Sequence, residues 1–223
     1  MAQALSNYSK MIFMRYQVHF YIALIILLTA CNGGTDSVKD AKEENKEKID
    51  SQVSAQKQID STAAAVLPTK EDADFLVNAA SGGMLEVQLG ELAQTNSRNQ
   101  RVKNFGAMMV RDHKEGGEKL KTLAASKNIT LPDSISNRQQ KEKDRLKKMK
   151  GDAFDEAYIN MMTDDHKNDI DEFEKEATKG TNPGIKTFAS ENLRMLHVHL
   201  DSAINIQKAI VKKMPPDISP PIK

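Results

Sequence analysis

Met108-Met109-Val110-Arg111-Asp112-His113-Lys114 is echoed further along the chain by Met161-Met162-Thr163-Asp164-Asp165-His166-Lys167. The echo continues through the apolar positions, because Met109, Leu120 and Ala124 are answered by Met162, Phe173 and Ala177. At about 100° of turn per residue, Val102, Gly106, Met109, Gly117, Leu120 and Ala124 share a face with His113. Ile159, Met162, Ile170, Phe173 and Ala177 share one with His166. Both stretches therefore read as amphipathic helices carrying one polar residue each in an apolar stripe.

Working outward, two further helices show the same intrusion. His199 sits among Ile185, Phe188, Met195, Ala203, Ile206 and Ile210, whereas His197 falls on the opposite face. Glu86 shares its face with Phe75, Ala79, Gly82, Gly90 and Ala93, small residues that leave room beside a carboxylate. The main helices are expected over about 70–95, 98–127, 152–179 and 185–213. Thr69 with Asp72 starts the first as a capping-box-like pair, and Gly180-Thr181-Asn182-Pro183-Gly184 breaks the third from the fourth. A basic, weakly amphipathic helix is expected at about 135–149, its charge read as a solvated face; no segment has the period of a strand. The fold class is therefore all-α: an antiparallel four-helix bundle of two helical hairpins, with a short extra helix in the central connection.

The ends read differently. Val18 to Ala30 is an apolar run after Lys10 and Arg15, too short for a hydrocarbon core that needs about 20 helical residues. It ends in Leu28-Thr29-Ala30-Cys31, which resembles the lipobox of bacterial lipoproteins, and Cys31 is the only cysteine. Residues 1–30 are accordingly expected to be a lipoprotein signal peptide, with Cys31 lipidated and membrane-tethered, most naturally in the outer membrane facing the periplasm. Residues 31–68 read as the lipidated cysteine and a flexible charged spacer, 69–213 as the bundle domain, and 214–223 as a disordered Pro-rich tail. Losing the signal removes Lys10 and Arg15 from 32 basic residues and none of the 31 acidic ones, leaving a formal charge of −1. Such a balance argues against nucleic acid as a partner.

By level along the helices, Glu86 should lie beside His113, and His166 beside His199, each pair inside its own hairpin. Glu86, His113, His166 and His199 are thus candidate ligands for a single copper, iron or zinc ion, with Asp112 and Asp165 orienting an imidazole or ligating directly. The Glu-x-x-His spacing of di-iron carboxylate bundles is nowhere in the chain, which argues against a dinuclear oxidase or iron store. The competing account is a buried hydrogen-bonded network that satisfies these groups without metal.

Gly82-Gly83-Met84 with Glu86-Val87 and Leu89-Gly90, Val102-Lys103 with Phe105, Met109-Val110 with Asp112-His113, Phe154-Asp155 with Tyr158, Met162 with Asp165-His166, and His199-Leu200 with Ala203 together resemble the bacterial family known as domain of unknown function 4142. The resemblance covers about 70–212 and implies a ferritin-like bundle and an exported protein, but no agreed activity. Three functions remain in play: a non-enzymatic tethered bundle with a metal-binding role, a metal-dependent envelope oxidoreductase, and a protein-interaction scaffold with a structural polar core. No catalytic residue is identified, since no serine or cysteine nucleophile sits in a recognisable setting.

Overall fold

The computed structural model describes residues 35–56 and 67–213. The signal, Cys31 and the Pro-rich tail lie outside the described residues. Among the described residues six helices are present: α1 (Ser37–Gln56), α2 (Lys70–Asn96), α3 (Gln100–Ser126), α4 (Asn137–Lys147), α5 (Gly151–Lys179) and α6 (Pro183–Lys213). No strand occurs among the described residues, and none of the helices is long and apolar enough to cross a membrane.

Local chemistry places the boundaries. Thr69 and Asp72 close the expected capping box at the start of α2, and Ser136 with Gln139 close another at α4. Asn99 caps α3 by accepting from Arg101 N at 3.0 Å. Asn128, at φ 57°, turns the chain out of α3, a conformation that asparagine tolerates after a helix end. Pro183 opens α6, where its missing N–H costs nothing, while Asn182 Oδ1 accepts from Gly184 N at 3.1 Å.

α2 with α3 and α5 with α6 form two antiparallel hairpins, the dominant contacts of the fold. α4 lies in the connection between them, so this is an all-α, ferritin-like four-helix bundle with a crossover. Asn96, at the end of α2, donates to the carbonyls of Lys147 (3.2 Å) and Met149 (3.0 Å), which fastens the crossover beside the first hairpin turn. At the opposite end, Asp72 accepts from Thr181 N at 2.9 Å, tying the start of α2 to the α5–α6 turn. α2 and α3 approach so closely that a Cβ on Gly90 would lie 2.5 Å from the Gly106 carbonyl oxygen.

The core is divided in two. One cluster gathers Leu89, Val102, Phe105, Met109, Leu146, Phe154, Tyr158, Met162 and Ala203. The other gathers Phe75, Leu76, Leu120, Ala124, Ile170, Phe173, Ile185 and Leu196. Each of the four long helices passes from one cluster to the other near one inward polar residue: Glu86, His113, His166 or His199.

The expected spacer is corrected over residues 37–56, which form the helix α1 docked on α2. Its buried face is Ala41 and Asn45, with Ile49 packed beside the second cluster. Asn45 makes a two-way bridge to the α3–α4 connection, donating to Thr130 O at 2.8 Å and accepting from Thr130 N at 2.7 Å. Ser37 and Asp36 add bonds to Asp133 and to Asn137 N. A buried asparagine among lysines and glutamates carries no apolar stripe, which is why this segment read as solvated.

Candidate metal centre

Glu86 is 3% exposed, His166 0% and His199 1%; the His113 side chain is 9% exposed. The expected pairings hold. His113 Nδ1 lies 3.0 Å from Glu86 Oε2, and His166 Nε2 lies 3.2 Å from His199 Nδ1. The hairpins also meet, with His166 Nε2 at 3.5 Å from Glu86 Oε1. The three imidazole centroids are 5.2–5.9 Å apart. One ring nitrogen from each histidine falls within 4.8 Å of the other two. His197 is exposed, as its place on the helix requires.

Hydrogen bonds settle the tautomers. His166 Nδ1 is 2.9 Å from the Met162 carbonyl oxygen, which can only accept, so the proton sits on Nδ1 and the lone pair on Nε2. His199 Nε2 donates to Asp112 Oδ2 at 2.9 Å, leaving its lone pair on Nδ1. His113 Nδ1 faces the Glu86 carboxylate, leaving Nε2 as the second nitrogen of that ring. Each imidazole thus has one nitrogen held by an oxygen acceptor, and on His166 and His199 the second nitrogens face each other across the cluster. That is how proteins orient histidine ligands toward a metal.

Charge follows burial and neighbours. Burial works to raise the Glu86 carboxyl, but the charge and hydrogen bond of His113 oppose it, and the group is held below its ordinary value. Burial works to lower His113, but Glu86 beside it raises that imidazole above its usual range. Burial lowers His166, and it pushes His199 down to about 4. Two neutral imidazoles are therefore in place, the form in which histidine binds metal. Within the cluster, His113 Nε2 and Glu86 Oε1 are buried with no hydrogen-bond partner among the described residues, so the purely hydrogen-bonded network is incomplete there.

One donor pair has the spacing that a metal ion requires, and the third imidazole nitrogen lies within 4.8 Å of both. Imidazole nitrogens about 2.0–2.1 Å from a tetrahedral ion lie roughly 3.3–3.4 Å apart, close to the 3.2 Å between His166 Nε2 and His199 Nδ1.

Asp112 and Asp165, equivalent in the repeat, diverge. Asp112 orients His199 and is also held by Arg111 at 2.7 Å. Asp165 hydrogen-bonds to none of the imidazoles among the described residues. Burial and the Glu86 charge push its carboxyl up to about 7, and it lines a cleft of about 810 Å3 together with Arg138 and Glu142. Asp169, one turn further along α5, was not singled out from sequence; burial and Glu86 raise it well above the ordinary range. Its signal was the Asp165/Asp169 spacing beside His166. The Met162 carbonyl was also missed, and no residue-type signal marks it.

A sequence model described as "Domain of unknown function (DUF4142)" matches residues 37–206. The chain belongs to this DUF4142 family. The match begins at α1, so the docked helix is part of the DUF4142 unit rather than a linker to it. Among solved structures, the DUF4142 chain is similar to one described as the crystal structure of a DUF305 fragment from Deinococcus radiodurans. The TM-score is 0.57 at 9% identity, over 64% of this chain and 99% of that one. At that identity the likeness speaks for the helical fold alone. No curated protein matches the DUF4142 chain.

Proposed function

We infer that this protein is a membrane-tethered cell-envelope protein whose bundle holds one copper, zinc or iron ion. The ion is carried on His113 Nε2, His166 Nε2 and His199 Nδ1. The observation that carries the reading is the convergence of three ring nitrogens, one from each histidine, within 4.8 Å, in rings held by Glu86, the Met162 carbonyl and Asp112. Imidazole suits all three metals. Glu86 has two roles in this arrangement: Oε2 fixes His113, and Oε1, 3.5 Å from His166 Nε2, is a fourth donor of the right chemistry. Asp112 orients His199 rather than ligating.

The anchor belongs to the same proposal. Cys31 after Leu28-Thr29-Ala30 would carry acyl chains in the outer membrane, facing the periplasm, and two or three chains hold a protein firmly. With α1 docked, the stretch between Cys31 and the bundle is much shorter than the spacer expected from sequence. The domain would then sit close to the lipid headgroups.

The test is elemental mass spectrometry of residues 32–223 purified without chelators, against protein concentration. About one equivalent of metal, lost in His113→Ala and His166→Ala, is the expected result; a blank that persists after adding each metal would falsify the metal reading. A metal-dependent oxidoreductase is favoured over a scaffold by one observation: His113 lies in the wall of a cleft, whereas the sequence showed no pocket. Turnover by the metal-loaded protein under oxygen or peroxide would establish that alternative.

A further inference from the structure

Gly90 and Gly106 are accounted for by the close approach of α2 and α3. Four other helical glycines are not. A Cβ on Gly82 or Gly117 would meet no atom within 4 Å, one on Gly83 would touch only His113 Nδ1 at 3.7 Å, and one on Gly116 only Asn192 at 3.9 Å. None of the four has a positive φ. Alanine at each would favour the helix without a clash, so neither backbone geometry nor packing requires glycine there.

What the four share is a cleft. All line a space of about 510 Å3 between α2, α3 and the ends of α5 and α6, walled by Leu120, Phe173 and Phe188. Pockets for small molecules span about 300–1,000 Å3, with mainly apolar walls and a few polar groups. Protein cores otherwise fill such space. The charged residues around this cleft are mixed in sign, Lys114 and Lys121 against Glu118 and Asp169, with Glu86 paired to His113, so no one sign of charge selects an ionic ligand. His113, nine-tenths buried, lies in its wall beside Glu86, with Nδ1 at 3.7 Å from where a Cβ on Gly83 would stand.

We propose that this glycine-lined cleft binds a small, uncharged, largely apolar organic molecule against the His113 face of the bundle. The glycines keep the space that such a ligand fills. The site goes beyond the metal reading and does not depend on it, since the walls are formed by protein alone.

The test is calorimetry of 1-butanol, 1-hexanol and 1-octanol against the full chain, metal-free and metal-loaded. Saturable one-to-one binding is expected, tightening by about fourfold per added methylene, with a negative heat-capacity change. Gly117→Leu places a side chain in the open space and should weaken 1-octanol roughly tenfold or more. Gly117→Ala should keep most of the affinity, and thermal melts of both variants establish that each is folded. Binding that does not saturate, that ignores chain length, or that survives Gly117→Leu in a folded protein overturns the proposal. Loss of metal binding with alkanol binding intact would sink the metal reading and leave this one standing.

Discussion

His166 Nε2 and His199 Nδ1 face each other at 3.2 Å, and the proton of each ring is held on its far nitrogen by the Met162 carbonyl and Asp112. Two lone pairs at that separation repel unless a cation lies with them, and the buried setting keeps water from screening the repulsion. A relationship of this kind is costly in a folded core and useful at a metal centre.

The braces should therefore tune the centre without being its sole ligands. Asp112→Asn and Glu86→Gln are expected to weaken metal affinity roughly 10–100-fold while retaining near-stoichiometric uptake at saturating metal. His166→Ala should abolish uptake. Competition titration with a chromophoric chelator separates the cases; an Asp112→Asn protein with unchanged affinity would remove Asp112 from the site.

The bundle end opposite the first hairpin turn has its own pH dependence. Burial, with a hydrogen bond to Asp72 and that residue's charge, pushes the Glu176 carboxyl up to about 7 from 4.5. The folded state then keeps a proton that the unfolded chain has released. Its contribution is full below about 4.5 and is lost as pH rises to about 7; Asp72, shifted downward, acts only in more acidic solution. With Lys175 and Lys186 and partial solvation screening the group, the expected loss between those limits is about 1–2 kcal/mol. Urea melts across the range should show this slope in the wild type and its absence in Glu176→Gln.

Glycines in the same bundle should respond oppositely to alanine. Gly90→Ala forces a methyl against the Gly106 carbonyl oxygen, 2.5 Å from its Cβ. It should cost about 1–3 kcal/mol from overpacking, less a gain of about 0.5–1 kcal/mol in helix propensity. Gly117→Ala meets nothing within 4 Å and should stabilise by about 0.5–1 kcal/mol. Thermal melts giving the same sign for both would contradict the account of the α2–α3 approach.

α1 should behave as part of the domain. Asn45→Ala removes both bonds to Thr130 and takes away the partner of its half-buried N–H and C=O. A loss of about 1–3 kcal/mol is expected, with amide exchange in residues 37–56 accelerating toward that of a free peptide. Protection of α1 that is already absent in the wild type would mean the helix is not docked in solution.

The sequence carried more of this site than of its surroundings. Glu86, His113, His166 and His199 each interrupt an apolar stripe, and helical periodicity alone places such a residue inward. Pairing of the levels within each hairpin followed from counting residues to the turns at 97–99 and 180–182. Asp165 shows the limit: its motif matches that of Asp112, yet only Asp112 reaches an imidazole, because the repeat describes one helix and not the helix across from it.

By itself, then, the sequence determined four long helices, the capping box of the first, the breaks between them, and the inward direction of one polar group on each, since these depend on residues within a few turns of one another. Only the tertiary structure decided which ring nitrogen carries each proton, that α1 docks, and that a glycine-lined cleft opens beside His113. Those outcomes depend on distances between residues far apart in the chain, where no local pattern records which side chain or carbonyl comes into reach.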